Sequence, residues 1–508
     1  MAPGGQGGKD PRMVEARVSG GMVRGTVESG VAVFRGIPFA APPVGDLRFA
    51  APQPAAAWDG VRDASAFGPP PPQLGMFGMD AMGDKGDDWL TVNVWSPDLA
   101  ANLPVMVWIQ GGAYLFGTSG LPEYDGTRLA GDGVVVVTFN YRVGMEGFGF
   151  IDGAPAQANR GLLDQVAALE WVQDNIRAFG GDPARVTIFG QSAGGGSVAS
   201  LLAMPRAAGL FHRAIASSVQ GTYFTPRMAF GIAAVCAAGL GWIPVLEDLS
   251  TVDPSDLPVV GDDMLEVMAG SPGSWGPAGY KRIPFAPIVD GEVLPVTPWE
   301  AVAGGAAKHV DLIVGHTRHE QRILTALDGM LGEVTDEQAA NALDFLAPGP
   351  DGARRYRESF PDAGPEELYD LVCSDWLFRM PSLRLAEAQA AAGGRAHLYV
   401  LAWPAPGMGG ALGACHGLDV PLMFGNLDRG QPAMLIGDVT PEAEQLSDRM
   451  RGAWTAFATG RDLGWPAYDS ADRLTRVFDS HDQVTAYPEE ESRLIWQDQS
   501  FEPLHWQP

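Results

Sequence analysis

Apolar residues along this chain gather in short unbroken runs that stop at glycine or polar residues. "LPVMVWIQGG" ends on paired glycines, and "GVVVVTFNYR" holds four consecutive valines. "VTIFG", "RAIASSV" (213–219), "VDLIVG" (310–315) and "AHLYVLAW" (396–403) repeat the form. Runs of this length, rich in β-branched residues, read as strands buried on both faces. A different period separates the second run from the third. In "NRGLLDQVAALEWVQDNIRAFG", Leu162, Leu163, Val166, Leu169, Trp171, Val172 and Ile176 recur at helical spacing, and Gly180 stands where a C-terminal cap belongs. A late helix is predicted from about Pro441 to Thr459. Buried strands alternating with helices predict an α/β fold, a central mostly parallel sheet with helices on both faces.

The 220–285 stretch breaks this alternation. It is rich in Pro, Gly and Asp and has weak periodicity, and it reads as a cap-like insertion. No Gly/Ser-rich or charged linker divides the rest, so residues 15–508 are expected to form a single domain and residues 1–14 a flexible extension.

Charge and cysteine use narrow the function. The formal net charge of −27 argues against nucleic acid, whose phosphates demand basic patches, and against docking on an anionic membrane. No uninterrupted apolar stretch reaches the roughly 18 residues that a membrane span needs. The three cysteines, Cys236, Cys373 and Cys415, form no CxxC pair, so neither a disulfide scaffold nor a cysteine-built metal site is expected. Together with an N-terminus that lacks an apolar signal segment, this predicts a cytoplasmic location. The excess of Arg over Lys in an Ala/Gly/Pro-rich chain suggests a bacterial source. Nothing in the pattern chooses between monomer and homodimer.

One serine sits inside a cage of small residues. Gly190-Gln191-Ser192-Ala193-Gly194 is G-x-S-x-G after a strand and before a helix-compatible stretch. A nucleophile on so sharp a strand-to-helix turn leaves no room for side chains two residues either side, and glycine at both places removes the collision. Serine needs a base, and the base an orienting acid, in the chain order Ser, acid, His. His309, His316, His319 and His416 lie downstream. His416, in "GACHGLDVPLMFG", follows a strand and lies among small residues that let its ring approach the serine. His316 and His319 read as loop residues in "GHTRHEQR". Glu320 follows a strand and is the candidate acid, with Asp311, Asp375 and Asp419 as competitors. Asp419, three residues from His416, is too local to orient it. Acyl transfer also needs donors for an oxyanion. The backbone N–H of Ala193 is one candidate, and the small-residue loop Gly111, Gly112 and Ala113 supplies others.

These motifs, in order, resemble the type-B carboxylesterases, α/β-hydrolases that include bacterial para-nitrobenzyl esterases and the cholinesterases. "FRGIPFAAPPVGDLRF", "DDWLTVNVWSP", "PVMVWIQGGAY", "NYRVGMEGF", the block around Ser192, "GLFHRAIASS", "PIVDGEVLP", "GHTRHE", "GACHGLDVPLMFG" and "WTAFATGRDLGWPAY" all carry the likeness, from about residue 15 to 500. The resemblance implies an α/β-hydrolase fold. It implies a serine carboxylesterase with the triad Ser192, Glu320 and His416 and the oxyanion donors Gly112, Ala113 and Ala193. It implies a small-molecule ester substrate, met by Gln110, Gly111, Tyr114 and Leu324, and no metal or organic cofactor. It also implies structural ion pairs of Arg48 with Asp87 and Arg142 with Asp164. Four positions depart from the family's habit: Gln110 replaces His or Tyr, Ala113 replaces a glycine, Gln191 replaces an acid, and Trp89 stands at a disulfide cysteine of secreted relatives. An acyltransferase that passes the acyl group to an alcohol or forms lactones, and a non-catalytic binding module, are the alternative readings.

Overall fold

Each apolar run named above forms a strand, because a β-branched run with no polar face can be satisfied only inside a sheet covered on both sides. The computed structural model describes residues 12–74 and 86–506. Its strands are β1 (Met13–Val18), β2 (Gly21–Glu28), β3 (Val31–Pro38), β4 (Val61–Asp63), β5 (Thr91–Ser96), β6 (Leu103–Ile109) and β7 (Val135–Phe139). Then come β8 (Gly181–Gln191), β9 (Arg213–Ser217), β10 (Asp311–Thr317), β11 (Ala396–Leu401), β12 (Leu474–Phe478) and β13 (Gln483–Ala486). They join one sheet in the order β1-β2-β3-β5-β7-β6-β8-β9-β10-β11-β12-β13, with β4 beside β2. From β7 to β12 every pairing is parallel. Antiparallel strands close both edges. The chain therefore has the α/β-hydrolase architecture, a mostly parallel sheet between two apolar layers.

The helix expected before β8 runs Arg160–Asn175, tightens over Ile176–Phe179 and stops at Gly180, whose φ of 76° is the left-handed cap that glycine adopts without strain. The late helix spans Pro441–Thr459, with Pro at its first turn and Thr440 accepting from the Ala443 amide. The 220–285 stretch is largely helical, with helices Pro226–Gly239, Leu246–Leu249, Leu257–Gly270 and Pro272–Tyr280. The expected N-terminal extension lies mostly outside the described residues, but β1 already begins at Met13, two residues inside it.

Of the two expected ion pairs, one holds and one is redrawn. Arg142 grips Asp164 through Nε–Oδ2 at 2.9 Å and Nη2–Oδ1 at 2.8 Å, with both side chains fully buried. Arg48 pairs with Glu146 at 2.7 Å, not with Asp87. Glu146 lies in the short helix that follows Arg142, so the fold brings it beneath Arg48, where a sequence block near Asp87 gives no hint of it. Arg142→Met is expected to cost about 3–5 kcal/mol of stability, because it strands the Asp164 carboxylate without its partner in the core. The urea midpoint checks this, and a change within about 0.5 kcal/mol would show that the pair is dispensable.

Candidate active site

Catalytic groups of a parallel sheet collect beyond the carboxyl ends of its strands. Here β6, β8, β9, β10 and β11 lie side by side in that order. The segments leaving them carry Gly111–Ala113, Ser192, Ser218, Glu320 and His416 in turn. Sheet order alone thus gathers residues as much as 305 positions apart in sequence (416 − 111).

Ser192 joins β8 to helix Ala193–Ala203 with φ 62° and ψ −126°, the strained elbow expected of an exposed nucleophile. The glycine cage follows from contact distances. A Cβ on Gly194 would lie 2.0 Å from the Ile109 carbonyl oxygen on β6, and one on Gly190 would lie 2.5 Å from the Gly194 carbonyl oxygen. Only bare α-carbons allow the helix to start so close to the sheet. Gly112 is held the same way, with φ 122° and the Phe116 carbonyl oxygen 2.0 Å from where its Cβ would be. Ala113 and Tyr114 then continue with φ 54° and 60°. This reversal leaves the amides of Gly112, Ala113 and Ala193 donating to no protein acceptor among the described residues. Free amide donors converging beside a serine are what an oxyanion requires.

His416 Nδ1 lies 2.5 Å from Glu320 Oε2. The other carboxylate oxygen, Oε1, accepts from Ser218 Oγ at 2.6 Å and from the Thr317 amide at 2.8 Å. Burial raises the Glu320 pKa, but the facing imidazole, its hydrogen bond and the Ser218 hydroxyl outweigh that, and the carboxyl is held below its ordinary value. An ionised Glu320 keeps the proton on Nδ1 and leaves Nε2 as the imidazole's acceptor. The ring of Phe378 stacks on His416 with centroids 4.1 Å apart. Phe378 belongs to a π-helical turn, Asp375–Arg379, a wound-out segment of the kind that often carries functional side chains. No hydrogen bond joins Ser192 Oγ to His416 among the described residues, and such bonds are commonly loose before substrate binds.

The remaining expectations divide. Leu324 lies one turn beyond Glu320 and is half-buried, a position that a substrate can meet. Tyr114 is corrected. Its ring is fully buried and packs against Phe148 at 4.7 Å. Gln110 is also fully buried, so its side chain lies under the oxyanion loop rather than at its surface. His316 is a strand residue of β10, not a loop residue, buried between the Thr317 carbonyl and the Tyr487 hydroxyl, each at 2.8 Å. Asp419 accepts from the Tyr399 hydroxyl at 3.1 Å rather than orienting His416, and burial pushes its carboxyl up to about 7. Ser218 and the stacking role of Phe378 were missed. Ser218 had a signal, since it is the first residue past a buried strand. A cavity of about 230 Å³ lined by Phe39, Trp171 and Asp174 includes none of Ser192, Glu320 and His416. Among the described residues, no group of three or more His, Cys, Asp or Glu side chains is placed to hold a metal ion. No helix among them is long and apolar enough to cross a membrane.

A parallel-sheet hydrolase with a serine elbow and a paired His and Glu defines a class, and comparison with known proteins supplies the family. The carboxylesterase family model matches residues 10–496, and the chain belongs to that family. It is 38% identical to the para-nitrobenzyl esterase of Bacillus subtilis over 93% of this chain and 96% of that protein. It is 34% identical to the phenmedipham hydrolase of Pseudarthrobacter oxydans over 91% and 94%. A solved carboxylesterase of Geobacillus stearothermophilus superposes with a TM-score of 0.83 at 35% identity, covering 95% of this chain and all of that one. A solved PNB esterase gives 0.83 at 37% identity, covering 95% and 99%. The protein is a carboxylic ester hydrolase that cleaves esters to acid and alcohol.

Proposed function

We propose that Ser192, His416 and Glu320 are the residues that carry the hydrolysis, in two steps through an acyl-enzyme. Ser192 Oγ attacks the ester carbonyl carbon while its proton passes to His416 Nε2. The carbonyl π bond opens to an oxyanion, held by the amides of Gly112, Ala113 and Ala193. The oxyanion collapses, the carbon–oxygen bond to the alcohol breaks, and His416 returns the proton to the departing oxygen. Water then repeats the sequence on the acyl-serine and frees the acid. Glu320 fixes the Nδ1–H tautomer and balances the imidazolium charge throughout. The observation that carries this reading is the 2.5 Å contact of His416 Nδ1 with a buried, doubly supported Glu320.

The substrate we propose is a small ester whose apolar alcohol or acyl group packs against Phe378 and Leu324. An aromatic alcohol is proposed for this chain in keeping with the name of its para-nitrobenzyl esterase relative. The helices within 220–285 are proposed to cap this end of the sheet, within a single domain. Three free, buried cysteines favour a reducing bacterial cytoplasm as the place of work. The test is hydrolysis of para-nitrophenyl acetate and butyrate beside intact mass after a fluorophosphonate probe. Turnover with one label per chain is expected. A folded enzyme that neither labels nor turns over would overturn the assignment of these residues.

A further inference from the structure

The residue just before the nucleophile is in hydrogen-bond contact with the base, whereas among the described residues the nucleophile's hydroxyl is not. Gln191 ends β8 and is 6% exposed. Its carboxamide nitrogen lies 3.1 Å from His416 Nε2 and 3.5 Å from Nδ1. Because Nδ1 carries the proton held by Glu320, only Nε2 has a lone pair to accept from that nitrogen. The attacking hydroxyl of Ser192 needs the same lone pair. Two donors therefore compete for one acceptor, and in this structure the Gln191 amide holds it.

The carboxamide lies beside the loop that carries Gly111. A Cβ on Gly111 would lie 2.8 Å from the Gln191 carbonyl oxygen and 3.5 Å from its Oε1, so the oxyanion loop closes over it. Once His416 is protonated, Nε2 becomes a donor, and only an oxygen can face it. In this structure the carboxamide presents its nitrogen instead, so the contact favours the neutral ring. A carboxylate at this position would serve the imidazolium alone, whereas the amide nitrogen that faces Nε2 here serves the neutral ring alone.

We propose that Gln191 is a positioning residue that occupies His416 Nε2 in the resting enzyme and thereby sets the pH at which the base becomes free. The proposal rests on the triad reading above. The charged groups coupled to His416 from the elements around it are Glu320, at the start of its helix, and Asp419, three residues on. Phe378 covers one ring face and carries no charge.

The experiment is the pH profile of kcat/KM for para-nitrophenyl butyrate in Gln191→Glu and Gln191→Met. Methionine keeps the length and removes the donor, so neutral imidazole loses a hydrogen bond. The acidic limb is expected to move up by about half a pH unit, the shift that one net hydrogen bond corresponds to. Glutamate adds a charge that favours imidazolium, and its limb is expected to move up by about one unit or more. Each shift should persist in an Asp419→Asn background, since Asp419 titrates near neutrality. Limbs that stay within about 0.2 unit of wild type in both variants would overturn the proposal, as would shifts that vanish with Asp419. A purely structural Gln191 would lower the plateau without moving the limb. If Gln191→Met does not fold, Gln191→Asn withdraws the amide by one methylene, stays neutral and should move the limb as methionine does. Fluorophosphonate labelling of each variant keeps the two readings apart, since an unlabelled folded protein counts against the triad and a labelled one with an unmoved limb counts against Gln191.

Discussion

Ser192→Ala is expected to lower kcat for para-nitrophenyl butyrate by about 10⁴-fold or more, with little change in KM. The substitution deletes one oxygen and leaves the rest of the site standing. The amides of Gly112, Ala113 and Ala193 remain, so a residual rate above that of water is expected from the oxyanion site alone. The fold should be indifferent. Ser192 holds a φ of 62°, and alanine bears the same strain there as serine. Its side chain also makes no hydrogen bond that the fold would miss among the described residues. Unchanged urea unfolding beside lost turnover is therefore the expected pair of results. Turnover within tenfold of wild type would mean that another group attacks the ester.

Glu320→Gln is expected to lower kcat by about 10³–10⁴-fold while leaving the protein folded. The new side chain can keep Oε1 on Ser218 and the Thr317 amide. Its amide nitrogen then faces His416 Nδ1, where a carboxylate oxygen had accepted. Two donors cannot share that contact, so the ring takes the other tautomer and Nε2 loses the lone pair that the serine needs. Acid should imitate the substitution only at low pH. The folded pKa of Glu320 is lowered, so its stabilising contribution is present above the ordinary glutamate range and is lost as pH falls through the folded value. The Glu320→Gln enzyme should accordingly lose less stability than wild type on acidification below pH 4.5, the ordinary glutamate value. A variant with near wild-type kcat would show that Glu320 is only a packing group.

The candidate triad stood out in the sequence because each of its residues follows a buried strand, in a fixed chain order. The parallel sheet was legible for the same reason, since runs such as "VVVVTF" tolerate no other environment. What escaped is non-local. The partner of Arg48 is chosen by a short helix 98 positions away, and no local pattern encodes that approach. Strands β1 and β2, at the sheet's edge, are partly exposed, so the continuous apolar signal of the inner strands is missing there. The helices between 226 and 280 are interrupted by proline and glycine, and their helical period is correspondingly faint. Tyr114 was expected at the pocket wall on residue type alone, and its burial against Phe148 has no signature in the local sequence. The hold of Gln191 on His416 joins residues 225 positions apart and has no signature in either segment.

The central claim is that an acyl group rests on Ser192 between the two halves of the reaction. Rapid mixing of enzyme with para-nitrophenyl butyrate, an acid quench and mass analysis of the tryptic fragment 186–206 would test it most directly. The account predicts a butyryl adduct on Ser192 in that fragment, approaching one per chain. Turnover with no adduct on this fragment, or an adduct on another residue, would contradict it.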